Sequence, residues 1–297
     1  MFVIKYKNFF ISLSVAFVAL AIAAIVRFGL PFGIEFKGGS ALTYTYTTTR
    51  PEVATIKSQL VNQGFSDAQV QPTGEKGIII KLRSLTENER ASVVAALSED
   101  GTYPGIQESF TTIGPSVGAE LKHKAIISII LVLIAIILFV AYAFRKVSHP
   151  VSSWKYGFAV IIALVHDIII PTGAFAILAH YTGAEVDTLF IVALLTTLAL
   201  SVADTIVVFD RIRENLTLHK GMPFYALVGE SLSQTFVRSI NTSLMVLIMV
   251  ITLALVGPKS TQLFATLLAI GMFFGTYSSI FLASPLLVLM EQSQKRN

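Results

Sequence analysis

Six long apolar runs punctuate this chain, and one of the polar connections between them is far longer than the rest. The first run covers residues 9–28 and follows Lys5 and Lys7. It exceeds the roughly 7–15 apolar residues of a secretory signal core. An uncleaved first span is therefore expected, although the Ala-rich residues 21–24 favour a cleaved leader. Five more runs lie at 125–144, 157–179, 187–209, 235–256 and 263–289. Each can cross a hydrocarbon core of about 30 Å at about 1.5 Å per residue. The pattern predicts a polytopic α-helical membrane protein with six transmembrane helices.

Residues 29–122 carry a different period. Ala41 to Thr47 alternate and are rich in Thr and Tyr, which suits a strand. Pro51 opens a helical pattern with Val53, Ile56, Leu60 and Val61 on one face, and Gly64 stops it. Residues 68–71 and 77–82 read as strands around a turn at Pro72 to Gly74. Thr86-Glu87-Asn88-Glu89 starts a second helix carrying Val93, Val94 and Leu97, and residues 107–113 make a last strand. The order β-α-β-β-α-β is the ferredoxin-like pattern of an α+β domain between spans one and two. No catalytic constellation appears in it, so a binding or force-bearing module is expected.

Composition agrees with the membrane reading: of 297 residues, 54% are hydrophobic and 13% charged, with mean hydropathy +0.73. The absence of cysteine rules out disulfides, thiolate metal sites and cysteine nucleophiles. No metal set, nucleophile triad or phosphate loop is visible, so neither an enzyme nor a cofactor is expected. The net charge of +4 has no basic stripe with interleaved aromatics, and nucleic acid is not an expected partner. Its distribution orients the chain. Arg145, Lys146 and Lys155 lie in one connection, Arg211, Arg213 and Lys220 in another, and Lys295-Arg296 at the end, whereas the opposite side has Lys259. Positive charge therefore places both termini and these loops in the cytoplasm. The expected division is 1–28 for the cytoplasmic tip and first span, and 29–122 for an extracytoplasmic domain. Residues 123–290 form five helices with cytoplasmic loops 145–156 and 210–234, and 291–297 form a tail. The amphipathic stretch 222–236 reads as a helix lying on the inner membrane surface.

Polar residues inside the spans carry the candidate chemistry. Asp204 interrupts the fourth run, and a charge at bilayer depth costs about 2.5–3.5 kcal/mol on insertion scales. Thr197, Ser201, Asp204 and Arg211 fall at spacings that share one helix face. The fifth span reaches full length only by beginning near Thr235, which draws Arg238 below the membrane surface to the depth of Asp204. An arginine keeps its proton at any accessible pH and a carboxylate need not. A carboxylate alternating between an arginine partner and a dry environment binds and releases a proton. The alternatives are a static ion pair that fixes helix packing and, for Arg238, an interface anchor that snorkels to water. His166-Asp167 lies near the middle of the third span, one turn before Pro171, and either supplies a second protonatable site or packs as a hydrogen-bonded carboxylate. Neighbours on a helix point about 100° apart, so the two cannot face one partner, and Asp167 is the stronger candidate. Gly271 and Gly275 form a GxxxG in the sixth span, followed by Thr276, Ser278, Ser279 and Ser284, and read as a packing seam.

In order along nearly the whole chain, several stretches resemble the SecD/SecF family, within the resistance-nodulation-division superfamily of proton-driven membrane machines. They are Gly33-Ile34-Glu35-Phe36-Lys37-Gly38-Gly39-Ser40, Gly114-Pro115-Ser116-Val117-Gly118-Ala119-Glu120-Leu121 and His166-Asp167. Asp204-Thr205-Ile206-Val207-Val208-Phe209-Asp210-Arg211-Ile212-Arg213-Glu214-Asn215 is the most specific. Arg238-Ser239-Ile240-Asn241-Thr242-Ser243 and Gly275-Thr276-Tyr277-Ser278-Ser279 complete the set. Glu35 stands where the family has Asp, and Ala203 where Asn is usual. The resemblance implies a SecF-type subunit of the bacterial inner membrane, partnered by SecD. It would work at the SecYEG channel beside a YajC-like subunit, on unfolded preprotein, driven by the proton motive force. It also implies proton-transport roles for Asp204 and Arg238, with a further aspartate supplied by SecD. Two rivals are a proton-coupled transporter of small molecules or lipids in the same superfamily, and a passive assembly scaffold.

Overall fold

The computed structural model describes residues 2–145, 153–219 and 221–296. Lys146 and Lys220, on which part of the charge asymmetry rests, lie outside the described residues, as do the side chains of Lys259, Lys295 and Arg296. The chain divides into an α+β unit, residues 32–126, and a helical unit formed by the rest. A four-residue helix α1 (Phe2–Lys5) tucks Val3 and Ile4 into the helical core. After a break at Tyr6, α2 (Lys7–Phe28) makes the first candidate span.

In the α+β unit a single turn, α3 (Ile34–Lys37), leads into β1 (Gly39–Tyr46). Gly38 and Gly39 make the corner at φ 79° and 144°, and a Cβ on Gly38 would lie 2.7 Å from the Pro115 Cα. That positive φ and that close approach both demand glycine. Next come α4 (Val53–Asn62), β2 (Gln69–Thr73), β3 (Gly77–Leu82), α5 (Glu87–Ser98) and β4 (Gly105–Ile113). The sheet is antiparallel with order β2-β3-β1-β4. Leu42, Tyr44 and Tyr46 alternate onto one face beside Ile78, Ile80 and Leu82. Ile56 and Leu60 of α4 and Val93 and Leu97 of α5 cover that face. The turn expected around Pro72 to Gly74 begins at the later end of that stretch. Pro72 pairs with Ile78 inside β2, and the chain reverses at Gly74. The sheet tolerates it because β2 is an edge strand and needs no N–H there.

The remaining helices are α6 (Pro115–Ala143), α7 (Ser153–Thr182), α8 (Thr188–Leu218), α9 (Phe224–Val256), α10 (Lys259–Ser278) and α11 (Ser284–Arg296). A π-helical turn, Ser279–Ala283, joins the last two. Counting α10 to α11 as one span, six helices among the described residues are long and apolar enough to cross a membrane. Most residues in the apolar stretches of the third and sixth are buried and almost none in the second, so the former make the centre. At one end Lys155 Nζ donates to the Met290 carbonyl at 2.9 Å and Arg213 Nη1 to Ala143 O at 3.4 Å. At the other, the Val186 amide donates to Pro31 O at 2.7 Å.

One expectation is corrected here. Stretch 222–236 is not a separate surface helix but the first half of the 33-residue α9. Its apolar stripe, Phe224, Leu227, Val228 and Leu232, packs against Ile4, Phe209 and Ile212 in the protein core. An amphipathic stripe reports that one face is dry, whether protein or lipid dries it. The sixth span is not one regular helix. Pro285 has no N–H for the Phe281 carbonyl and would crowd it, and the wider turn before it relieves that conflict.

Candidate functional site

The site grows from a close approach of α8 and α10. A Cβ on Gly271 would collide with the Thr197 Oγ1, and one on Gly275 would stand 2.9 Å from the Ser201 Cβ. Glycine at these two points lets the backbones meet, as small residues do between membrane helices. The hydroxyls along the seam then interlock. Thr205 Oγ1 lies 2.7 Å from Ser279 Oγ, and Ser279 Oγ is 3.3 Å from the Ser201 carbonyl.

Asp167 of α7 sits against that seam with no solvent exposure. Its Oδ2 accepts from Ser201 Oγ of α8 and from Ser278 Oγ of α10, the latter at 2.8 Å. Its Oδ1 lies 2.8 Å from His166 Nδ1. The ring of His166 thus turns back on its own neighbour, and its Nε2 is buried without a partner among the described residues. That ring stacks on Tyr277 at 6.1 Å, and the Tyr277 hydroxyl donates to Phe10 O of α2 at 3.2 Å.

Asp204 is only half-buried and faces α9. Ser243 Oγ donates to its Oδ2 at 3.0 Å, and Thr276 Oγ1 of α10 donates to Ser243 Oγ at 2.6 Å. Ser239, one turn earlier on α9, is directed at the same carboxylate, but its buried hydroxyl closes no hydrogen bond. Among the described residues Asp204 has no ion-pair partner within 4.0 Å. Arg238 lies on the exposed side of α9 with its guanidinium unpaired among those residues, and its charge acts on Asp204 across a longer gap. The direct pair suggested by matched depth is therefore not closed in this conformation.

The other expected residues separate. Thr197 and Ser201 face the α10 glycines, Asp204 faces α9, and Arg211 bonds Gln234 and Glu214 at the helix end. Sequence reasoning passed over Ser243 and treated Thr276 and Ser278 as packing residues. The available signal was the four-residue spacing of Thr235, Ser239 and Ser243, which marks one buried hydroxyl face on α9.

Chemically, Asp204 is solvated by a hydroxyl rather than by a fixed cation, and Asp167 by two hydroxyls and the His166 ring. A hydroxyl can donate to a carboxylate or accept from a carboxylic acid. Such a shell holds either protonation state, which an arginine or a backbone N–H does not.

These features define a class: a six-span helical membrane protein with carboxylates sunk in its bundle and an α+β unit between its first two spans. The family model described as "Protein export membrane protein SecD/SecF, C-terminal" matches residues 95–293, and the chain belongs to that family. It is 39% identical to the protein translocase subunit SecF of Thermobaculum terrenum, over 97% of this chain and 93% of that one. It is 37% identical to the SecF of Anaerolinea thermophila, over 99% and 94%. It also matches the protein translocase subunit SecDF of Thermus thermophilus at 32% identity, over 93% of this chain but 37% of that protein. The crystal structure of SecDF from that genus, described as a translocon-associated membrane protein, superposes with a TM-score of 0.83 at 31% identity. That alignment covers 99% of this chain and 38% of the SecDF chain.

Proposed function

We propose that this chain is a SecF-type translocase subunit that draws on the proton motive force to assist protein export. The curated relatives named translocase subunits and the solved SecDF support the export role. The observation that carries the proton-driven reading is Asp204. It is a half-buried carboxylate among spans, held by hydroxyls, with the Arg238 guanidinium unpaired nearby among the described residues. A proton arriving at Asp204 removes a charge, changes its attraction to Arg238 and shifts the bundle. Asp167 is the second proton-binding candidate. No covalent chemistry is involved.

SecD is the proposed partner, because the Thermus relative is a single SecDF chain of which this one matches only part. SecD would supply the remaining part of the proton path. SecYEG, a YajC-like subunit and an unfolded preprotein are the further proposed partners. The bundle would lie in the inner membrane. Lys5, Lys7, Arg145, Lys155, Arg211 and Arg213 would face the cytoplasm, and the α+β unit, a ferredoxin-like domain, would grip emerging chains outside. The decisive experiment is export into proton-energised vesicles with Asp204→Asn. Export falls to the level without a proton gradient while the SecD complex is recovered at normal yield. Wild-type export defeats the reading, and loss of the complex itself supports a scaffold instead.

A further inference from the structure

We propose that Ser243 and Thr276 form a two-position hydrogen-bond switch that reads the protonation state of Asp204 and reports it to α10 beside the π-turn. The proposal rests on Asp204 as the proton-binding group and adds the residues through which that group acts on its neighbours.

The argument is a count of protons. Thr276 Oγ1 lies 2.6 Å from Ser243 Oγ and 2.9 Å from the Met272 carbonyl, both in donor geometry. A threonine hydroxyl has one proton and cannot satisfy both at full strength. With Asp204 ionised, Oδ2 is an acceptor, so Ser243 donates to it and Thr276 donates to Ser243. Every hydroxyl then points toward Asp204, and the Met272 carbonyl relies on its ordinary helical bond. With a proton on Oδ2, that oxygen becomes a donor. Ser243 must accept from it and turn its own proton to Thr276 Oγ1. Thr276 must in turn release Ser243 and donate to Met272 O, which already lies in reach. One O–H bond forms, on Asp204, and no other covalent bond changes. The two hydroxyls rotate and the polarity of the chain reverses.

Both end states are thus prepared by the same coordinates, which a purely structural serine would not require. The charged group acting on this chain is Arg238 from α9, while α7 brings Asp167 and His166 to the next hydroxyl up α8, Ser201. From α10, Phe273, Thr276 and Tyr277 line the same wall as Ser243, and Tyr277 is the titratable group among them. Thr276 is two residues before Ser278, which holds Asp167 and precedes the π-turn. Reversal at Thr276 therefore alters the helix at the point where its hydrogen-bond ladder is about to widen. Ser243 and Thr276 are positioning residues, since the proton itself resides on Asp204.

The test is infrared difference spectroscopy on the SecD-bound protein in liposomes, following the carboxylic C=O band that Asp204→Asn abolishes. In Thr276→Val, which keeps shape and loses the hydroxyl, that band moves in frequency. Proton-driven export falls about fivefold, the ratio set by one lost neutral hydrogen bond. In Thr276→Ser both return to wild-type values. A Thr276 that only packs and bonds its own Met272 carbonyl, passing nothing to Ser243, would leave the band in place, because Thr276 does not touch Asp204. An unmoved band in Thr276→Val, or a band that Thr276→Ser fails to restore, overturns the switch. Full export in Asp204→Asn would instead remove the proton-driven reading, leaving the band shift as a separate result.

Discussion

Ser278, the last residue of α10, donates to Asp167 of α7 at 2.8 Å, and the helix widens into a π-turn at the next residue. A fully buried carboxylate therefore ties the irregular part of the sixth span to the centre of the third. Replacing Asp167 with Leu strands the His166 imidazole, whose other nitrogen already has no partner among the described residues. The loss should reach about 1–3 kcal/mol, the cost of an orphaned buried polar group. Asp167→Asn retains an acceptor for the two serines and should lose less. Thermal unfolding of the purified chain in mild detergent gives the ranking, and equal midpoints for Leu and Asn would count against it.

The close approach of α8 and α10 makes a steric prediction. Gly271→Ala has to displace Thr197, whose Oγ1 and Cγ2 stand where the new methyl would go. Overpacking of this kind costs about 1–3 kcal/mol. Thr197→Ala removes both colliding atoms, so the double variant should recover much of the loss. A double-mutant cycle in detergent measures that coupling, and strictly additive effects would mean the helices simply separate.

How much of this could be read in advance follows from which interactions are local. Hydropathy alone marks the six spans, because each is a continuous stretch of one chain. The Thr86 and Glu89 spacing marks the start of α5 for the same reason. Residue 222–236 shows the opposite case, since an amphipathic stripe does not say whether protein or lipid covers it. Depth in the membrane can be counted along a helix, which is how Asp204 and Arg238 come to the same level. Rotation about the helix axis cannot be counted that way, and here Asp204 meets Ser243 while Arg238 points outward. The hydroxyls that hold Asp167 and Asp204 were illegible as partners. Serines and threonines in membrane helices commonly bond their own backbone, as Thr242 and Thr252 do here.

The start of α5 is pH-sensitive. Glu89 accepts from Arg83 Nη2 at 2.6 Å and from the Thr86 amide at 2.8 Å, and Thr86 Oγ1 accepts in return from the Glu89 amide. The Arg83 hydrogen bond first, and then Thr86, hold its carboxyl down at about 2 against an ordinary 4.5. A depressed carboxylate stabilises the fold above its ordinary value. That contribution is lost as pH falls through the interval toward 2. Amide exchange at the first turn of α5, corrected for intrinsic rate, should quicken across that interval in the wild type and show no such step in Glu89→Gln. Thr86→Ala should weaken the same turn by about 1 kcal/mol at neutral pH.

Tyr44 and Tyr46 lie on the same face of β1, almost fully buried, with ring centroids 5.0 Å apart, yet their hydroxyls differ. Tyr44 hydrogen-bonds the Gly105 backbone, whereas the Tyr46 hydroxyl is buried with no partner among the described residues. A buried unpaired hydroxyl costs about 1–3 kcal/mol, and a satisfied one contributes about 1 kcal/mol. Tyr46→Phe should therefore slow amide exchange in β1 and β3, and Tyr44→Phe should quicken it. Burial pushes the Tyr46 hydroxyl well above the usual tyrosine value, with the neighbouring Tyr44 and Glu99 adding to the shift. Above about pH 10 the unfolded chain releases a proton that the folded chain keeps, so stability falls as pH rises. Tyr46→Phe should lessen that alkaline loss. Quickened exchange in both variants would count against the unpaired hydroxyl.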